Sequence, residues 1–226
     1  MKDLVVIIPS RSRPENIHEV VKSFDETKTT SDLFVVVDED DPKLEDYFAL
    51  LEKEVNIIRV KPEGKGMARP LNEAARFLMP HYRNFCFIGD DHRPRTEEWD
   101  KKFVAELDKL EIGLVYGNDL LQGRNLPTAV AMTGNIVKEL NGMVPNGMVH
   151  LYLDNFWMKL GTDLGAITYL DDVIIEHMHP IAGKAEWDDQ YKAVNADDVY
   201  HTDAKAYSDY IASMDYAKLL MNLEQV

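Results

Sequence analysis

Four short apolar runs, residues 4–8, 33–37, 55–60 and 85–88, alternate with stretches whose apolar residues recur at helical period. No other feature of the chain restricts its fold as much. The first intervening stretch, 14–24, places Ile17, Val20, Val21 and Phe24 on one face; a second spans 44–54, and a third, 66–79, is entered through a Gly-rich turn. Continuously apolar strands are buried on both faces, so repeated βα units imply an α/β fold with a mostly parallel central sheet flanked by helices. The pattern loosens after Trp99. A helix over 101–110 and a short strand over 113–116 lead into 117–149, which is rich in Gly, Asn, Pro and Met and reads as mobile loops around a pocket. A helix over 151–160, strands over 166–170 and 173–178, and a polar helical tail over 187–223 complete the expectation. With no internal repeat or linker, the chain reads as one domain over 1–226, with functional halves at about 1–115 and about 116–185 and a tail at about 186–226.

Composition removes several function classes. With 226 residues, 45% hydrophobic and 29% charged, the chain can bury a sizeable core. No apolar run reaches the roughly 20 residues of a membrane span. The run at 5–8 passes directly into Pro9 and charged residues, unlike a signal peptide. Cys86 is the single cysteine and sits in an apolar strand, so no disulfide framework exists, a reducing cytoplasm is expected, and the thiol reads as a small buried hydrophobe. The net charge of −15 argues against nucleic-acid binding by broad electrostatics. Yet Arg11, Arg13, Lys61, Lys65, Arg69, Arg93 and Arg95 cluster in the first half near expected strand ends, which suits a compact polyanion such as a nucleoside diphosphate.

The residues with chemistry stand where those strands end. Phe87-Ile88-Gly89-Asp90-Asp91-His92 delivers two adjacent carboxylates to the edge at which open α/β sheets bind ligands. A divalent metal bridging to phosphates resolves their repulsion; the alternative is an acidic turn capping the next helix. Pro9-Ser10-Arg11-Ser12-Arg13 leaves the first strand as a basic loop able to hold an anion at a helix start, or as a plain helix entrance. Asp38 closes the second strand, where a carboxylate can accept from a base or ribose. The segment from Glu63 to Asn72, with Lys65 and Arg69, lacks the ending of a P-loop but can line a nucleotide pocket. In Ile174-Ile175-Glu176-His177-Met178-His179, strand period puts His177 and His179 on one face, an imidazole pair suited to Mn²⁺ or a similar ion. Lys184 follows as a cation for the same phosphates. Asp154, among apolar and aromatic neighbours, reads either as a general base with raised pKa or as a helix cap.

Together these residues resemble GT-A-fold (Rossmann-like) glycosyltransferases, and in particular the large family 2 of inverting enzymes, over about residues 3–185. The resemblance rests on Pro9-Ser10-Arg11, Asp38, the Lys65–Asn72 segment, the Asp-x-Asp region, the Asp154 region and the late histidine. It implies a nucleotide-sugar donor, a UDP-sugar first of all, in the N-terminal half with Mn²⁺ or Mg²⁺, and an acceptor half after it. By resemblance the donor site comprises Pro9, Ser10, Arg11, Arg13, Asp38, Lys65, Arg69, Asn72, Asp90 and Lys184. Asp91 with His177, or His179, would hold the metal, and Asp154 would activate the acceptor hydroxyl. The chain departs from the family pattern at Gly89, where the first acid of Asp-x-Asp belongs, and at Leu153, where Glu precedes the catalytic Asp. His179-x3-Gly183-Lys184 is similar to retaining GT-A enzymes, so the stereochemistry stays open. A narrower resemblance, to small bacteriophage glycosyltransferases, implies a hydroxymethylated pyrimidine in DNA as acceptor, touched by Arg93, Arg95 and Arg124. A nucleotidyltransferase and a nucleotide-sugar-binding module without catalysis are the alternative readings.

Overall fold

The computed structural model describes residues 1–50, 55–64 and 66–225. Strands β1 (Lys2–Pro9), β2 (Asp32–Asp38), β3 (Asn56–Val60) and β4 (Tyr82–Phe87) pair in parallel in the order β3-β2-β1-β4. Helices α1 (Pro14–Glu26), α2 (Leu44–Phe48) and α3 (Ala68–Leu78) lie between them in sequence. The expected alternation is therefore present, with boundaries shifted by a few residues. The last four residues expected in the 44–54 helix, and Lys65, lie outside the described residues.

Continuous burial of β1 explains its all-apolar run. Val5 and Ile7 point into a core beneath α3, while Leu4, Val6 and Ile8 point into a second core built on α1 and on α4 (Trp99–Leu107). Cys86 is fully buried in that second core, and burial pushes its thiol pKa up.

The second half completes the same sheet, and here the sequence expectation needs correction. The 117–149 stretch is not a set of mobile loops. It supplies the end of β6 (Leu114–Asn118), all of β7 (Val130–Thr133) and α5 (Gly134–Leu140). β7 runs antiparallel between β4 and β6, each of its residues buried, and Met132 and Met143 are core side chains. Its four residues are too few to show a period, which is why composition misled.

The two strands expected at 166–170 and 173–178 are one strand, β8 (Ile167–His177). It parallels β6 with a register irregularity, Gly117 facing Leu170 but Asn118 facing Ile174, and Asp171 and Asp172 bulge outward to solvent. The short β5 (His92–Pro94) pairs antiparallel with the end of β8. After α6 (Leu153–Asp163), the tail forms α7 (Asp189–Val194), α8 (Asp197–Ile211) and α9 (Met214–Leu223). Among the described residues no helix is long and apolar enough to cross a membrane.

Candidate active site

At the carboxyl ends of β1, β2 and β4 opens a cleft of about 260 Å³. Pro9, Ser10, Arg11, Arg13 and Asp38 line one side, Asp90 and Asp91 the floor, and His150, Asp154 and Trp157 the far wall. His177 comes from the end of β8, His179 from just beyond it, and Tyr191 from α7. Parallel sheets place ligands at this edge because helix and strand ends splay apart there.

The adjacent carboxylates point to different partners. Asp90 accepts from Ser10 Oγ at 2.7 Å and lies 3.4 Å from Arg13 Nη1. Burial and the neighbouring charge of Asp91 push its pKa up to about 6. Asp91 faces the histidines: Oδ1 is 3.1 Å from His92 Nδ1 and Oδ2 is 3.2 Å from His177 Nε2. Burial alone would raise the Asp91 pKa, but the charged His177 ring beside it holds it well below the usual carboxylate range. For His177 the same contest ends the other way: burial favours the neutral ring, yet Asp119 and Asp91 lift its pKa to about 9. Tyr191 donates to Asp91 Oδ2 at 2.6 Å, and Arg13 clamps Asp188 through Nε and Nη2, so the start of α7 is strapped across this floor.

Asp91, His92 and His177 offer one ligand atom each within 4.8 Å of one another, the one such group of His, Cys and acidic side chains among the described residues. The backbone explains their meeting. His92 and His177 are direct partners in the β5/β8 ladder, and their rings stack at 4.2 Å. The neutral Nδ1 of His92 already accepts from the Gly89 N–H at 3.1 Å, so its approach to Asp91 Oδ1 sets two acceptors face to face. A cation between them relieves that repulsion, and this donor set fits one. Gly89 belongs to the same cradle, since a Cβ there would lie 2.6 Å from Asp91 Oδ1 and 2.8 Å from His92 Nδ1. Asp91 and His92 thus crowd the position at which the resemblance expects the first acid of Asp-x-Asp.

His179, expected to share a strand face with His177, lies beyond the strand. Its Nδ1 accepts from Ile181 N at 3.1 Å, its ring packs edge-on against Trp187 and Tyr191, and it is not in the three-residue group.

The far wall is built by the turn before α6. Buried Asp203 of α8 accepts from the backbone N–H groups of Val149, His150 and Leu151 at 2.7–2.8 Å. From the other side, Ala68 N donates to Val149 O, and a Cβ on Gly66, whose φ is +82°, would sit 2.3 Å from that oxygen. The turn thus held presents Asp154 in the first turn of α6, where burial raises its pKa and the backbone N–H of Asn155 is its hydrogen-bond donor. His150 lines the same wall with a buried Nδ1 that has no hydrogen-bond partner, and burial pushes its pKa down to about 4.

At the ends of β1 and β2, Asp38 is gripped by Arg11 Nη1 at 3.1 Å and Arg69 Nη2 at 2.7 Å. Three expected donor-site residues do not line the cleft: Arg69, which reaches it only through Asp38, and Asn72 and Lys184. Asn72 is buried in α3, where it accepts from Met143 N and Val144 N and donates to Val144 O, three bonds that fasten a loop. Lys184 pairs with Glu176 at 2.8 Å and lines a second cleft with Arg93 and Arg95. Lys65 lies outside the described residues. Sequence reasoning missed His92, Asp119, His150 and Tyr191. For His92 the signal was present, an imidazole directly following Asp90-Asp91; Asp119, between two loop-like stretches, carried none.

No family model matches this sequence, and no curated protein matches it. Solved structures do. Staphylococcus aureus TarS superposes with a TM-score of 0.59 at 17% identity, over 94% of this chain and 44% of that one, so the present chain spans less than half of the full TarS chain. TarS 1–349 in complex with UDP gives 0.58 at 18% identity, over 95% and 73%. Glucosyl-3-phosphoglycerate synthase from Mycobacterium tuberculosis, in complex with Mn²⁺, UDP and glucosyl-3-phosphoglycerate, gives 0.56 at 17% identity, over 79% and 72%. At such identities the likeness speaks to architecture, and by that measure this chain has a GT-A-like glycosyltransferase fold.

Proposed function

We propose that the chain is a metal-dependent glycosyltransferase that moves a sugar from a UDP-sugar to an acceptor hydroxyl. One observation carries the reading: a cation seat of Asp91, His92 and His177 and a partly buried carboxylate, Asp154, line one cleft. UDP, UDP-GlcNAc and Mn²⁺ in the structures of similar fold support the donor and the metal.

Asp91, His92 and His177 would hold a divalent cation, which would supply charge neutralisation for the departing diphosphate. Two imidazoles beside one carboxylate favour Mn²⁺ over Mg²⁺, which prefers oxygen ligands. Asp154 takes the acceptor hydroxyl proton as that oxygen bonds to the anomeric carbon, and the bond from that carbon to the diphosphate oxygen breaks with its electron pair leaving on UDP. A raised pKa strengthens Asp154 as a base. Asp38, Arg11 and Ser10 form the nucleotide end of the cleft.

The acceptor reading rests on the arginines. Arg93 is buried and donates to the carbonyls of Asp90 and His92, Arg95 pairs with Glu176, and Arg124 lies over the Tyr169 ring. Arg93 is committed to the backbone, whereas Arg95 and Arg124 stay exposed, so a hydroxymethylated pyrimidine in DNA is the first acceptor to test, ahead of a glycan or protein hydroxyl. UDP titration with and without Mn²⁺, followed by a UDP-sugar panel against glycan, protein and hydroxymethylated DNA, tests the whole. Mn²⁺ should strengthen UDP binding in the parent and not in Asp91→Asn, with UDP released on transfer. Equal UDP affinity with and without metal removes the metal role. Binding without UDP release identifies a module without catalysis, and pyrophosphate release a nucleotidyltransferase.

A further inference from the structure

Both histidines of the cation seat are held from behind by one carboxylate. Asp119 directly follows β6 and is 2% exposed. Its Oδ1 accepts from the backbone N–H groups of Leu121, Gln122 and Gly123 at 3.0, 2.7 and 2.8 Å, which locks the side chain into a tight turn. Its Oδ2 accepts from Thr128 Oγ1 at 2.8 Å and faces His177 Nδ1 at 3.8 Å, a buried nitrogen with no hydrogen-bond partner. Thr128 Oγ1 lies 3.3 Å from His92 Nε2, and the Asp119 carbonyl accepts from the His177 N–H at 2.9 Å.

Proton accounting along this chain leaves one arrangement for His92. Thr128 has a single hydroxyl proton and gives it to Asp119, so its oxygen can only accept, and His92 Nε2 must be the donor. The Gly89 N–H aimed at His92 Nδ1 requires the same tautomer. An ionised carboxylate likewise only accepts, so the His177 nitrogen facing it carries a proton. Each ring then turns its other nitrogen, His92 Nδ1 or His177 Nε2, toward Asp91.

We propose that Asp119 is the positioning residue of the cation seat, fixing the ring angle and proton placement of His177 directly and of His92 through Thr128. This rests on the metal-dependent reading above and deepens it, because Asp119 is assigned a role without being one of the three cation ligands. Partners behind a metal-bound histidine typically contribute about 10- to 100-fold in metal affinity.

Calorimetric titration with Mn²⁺ alone, without nucleotide, tests the proposal, with electron spin-echo detection of imidazole nitrogen coupled to the bound ion. Thr128→Val severs the path to His92 while leaving the three turn N–H bonds of Asp119 in place. It should bind Mn²⁺ about 10-fold more weakly and show a reduced nitrogen signal, with its melting temperature in chelator close to that of the parent. Thr128→Ser, which keeps the hydroxyl, should restore both readouts, and Asp119→Asn should weaken binding by about 10- to 100-fold. If the parent binds Mn²⁺ and Thr128→Val and Asp119→Asn bind it equally well, the positioning role is refuted while the metal-dependent reading stands. If the parent itself binds no Mn²⁺, both fall.

Discussion

Binding of a divalent cation to this protein should expel one proton, and the size of the effect follows from His177. In the metal-free structure its Nε2 faces Asp91 at 3.2 Å and its Nδ1 faces Asp119 at 3.8 Å. Burial works against the charged ring, but the two carboxylates prevail and hold its pKa at about 9. At neutral pH the proton on Nε2 therefore occupies the place a cation needs, and a ligating imidazole must be unprotonated. At pH 7, two units below that pKa, removing the proton costs about 2.7 kcal/mol, a factor of about 100 in apparent affinity.

The sign is fixed: Mn²⁺ affinity rises about tenfold per pH unit from pH 7 and levels off above about pH 9. Titration calorimetry at pH 7 in two buffers of different ionisation enthalpy counts the released protons directly, and close to one per Mn²⁺ is expected. The same titration of Asp119→Asn, which removes one of the two charges sustaining the proton without removing a cation ligand, should release fewer. A pH-independent affinity with no proton release would refute the placement of His177 in the cation seat.

Two further outcomes are expected. Asp154→Asn keeps the side-chain oxygen that accepts from Asn155 N, so donor binding should be unchanged while transfer falls about 10²-fold or more in a single-turnover assay; transfer at the parent rate would remove Asp154 as the base. Asn72→Ala should lower stability to urea by about 3 kcal/mol or more, because two buried N–H groups and one carbonyl lose their partner at about 1–3 kcal/mol each; near-parent stability with weakened UDP binding would instead return Asn72 to the donor site.

Much of this molecule was legible in its residues. The runs at 4–8 and 33–37 are apolar at every position because both faces of those strands are buried, a local signal that needs no partner to be read. Asp38, Asp90 and Asp91 could be placed at the cleft because a βα unit ends its strand at the ligand edge whatever the rest of the chain does. Asp154, read from its aromatic neighbours as a general base or a helix cap, lines the same cleft. Three things were decided only by tertiary structure. β7 is stabilised by β4 and β6 on either side, so four residues without a period of their own become a central strand. His92 gains its meaning from the register that sets it opposite His177, a pairing between residues far apart in sequence. Asn72 and Lys184 have the right chemistry for a phosphate site, but α3 turns one into the core and Glu176 holds the other at a second cleft. Sequence period reports which face of an element is buried. Which functional groups share a point in space depends on strand order and register, and these are settled by contacts between distant segments.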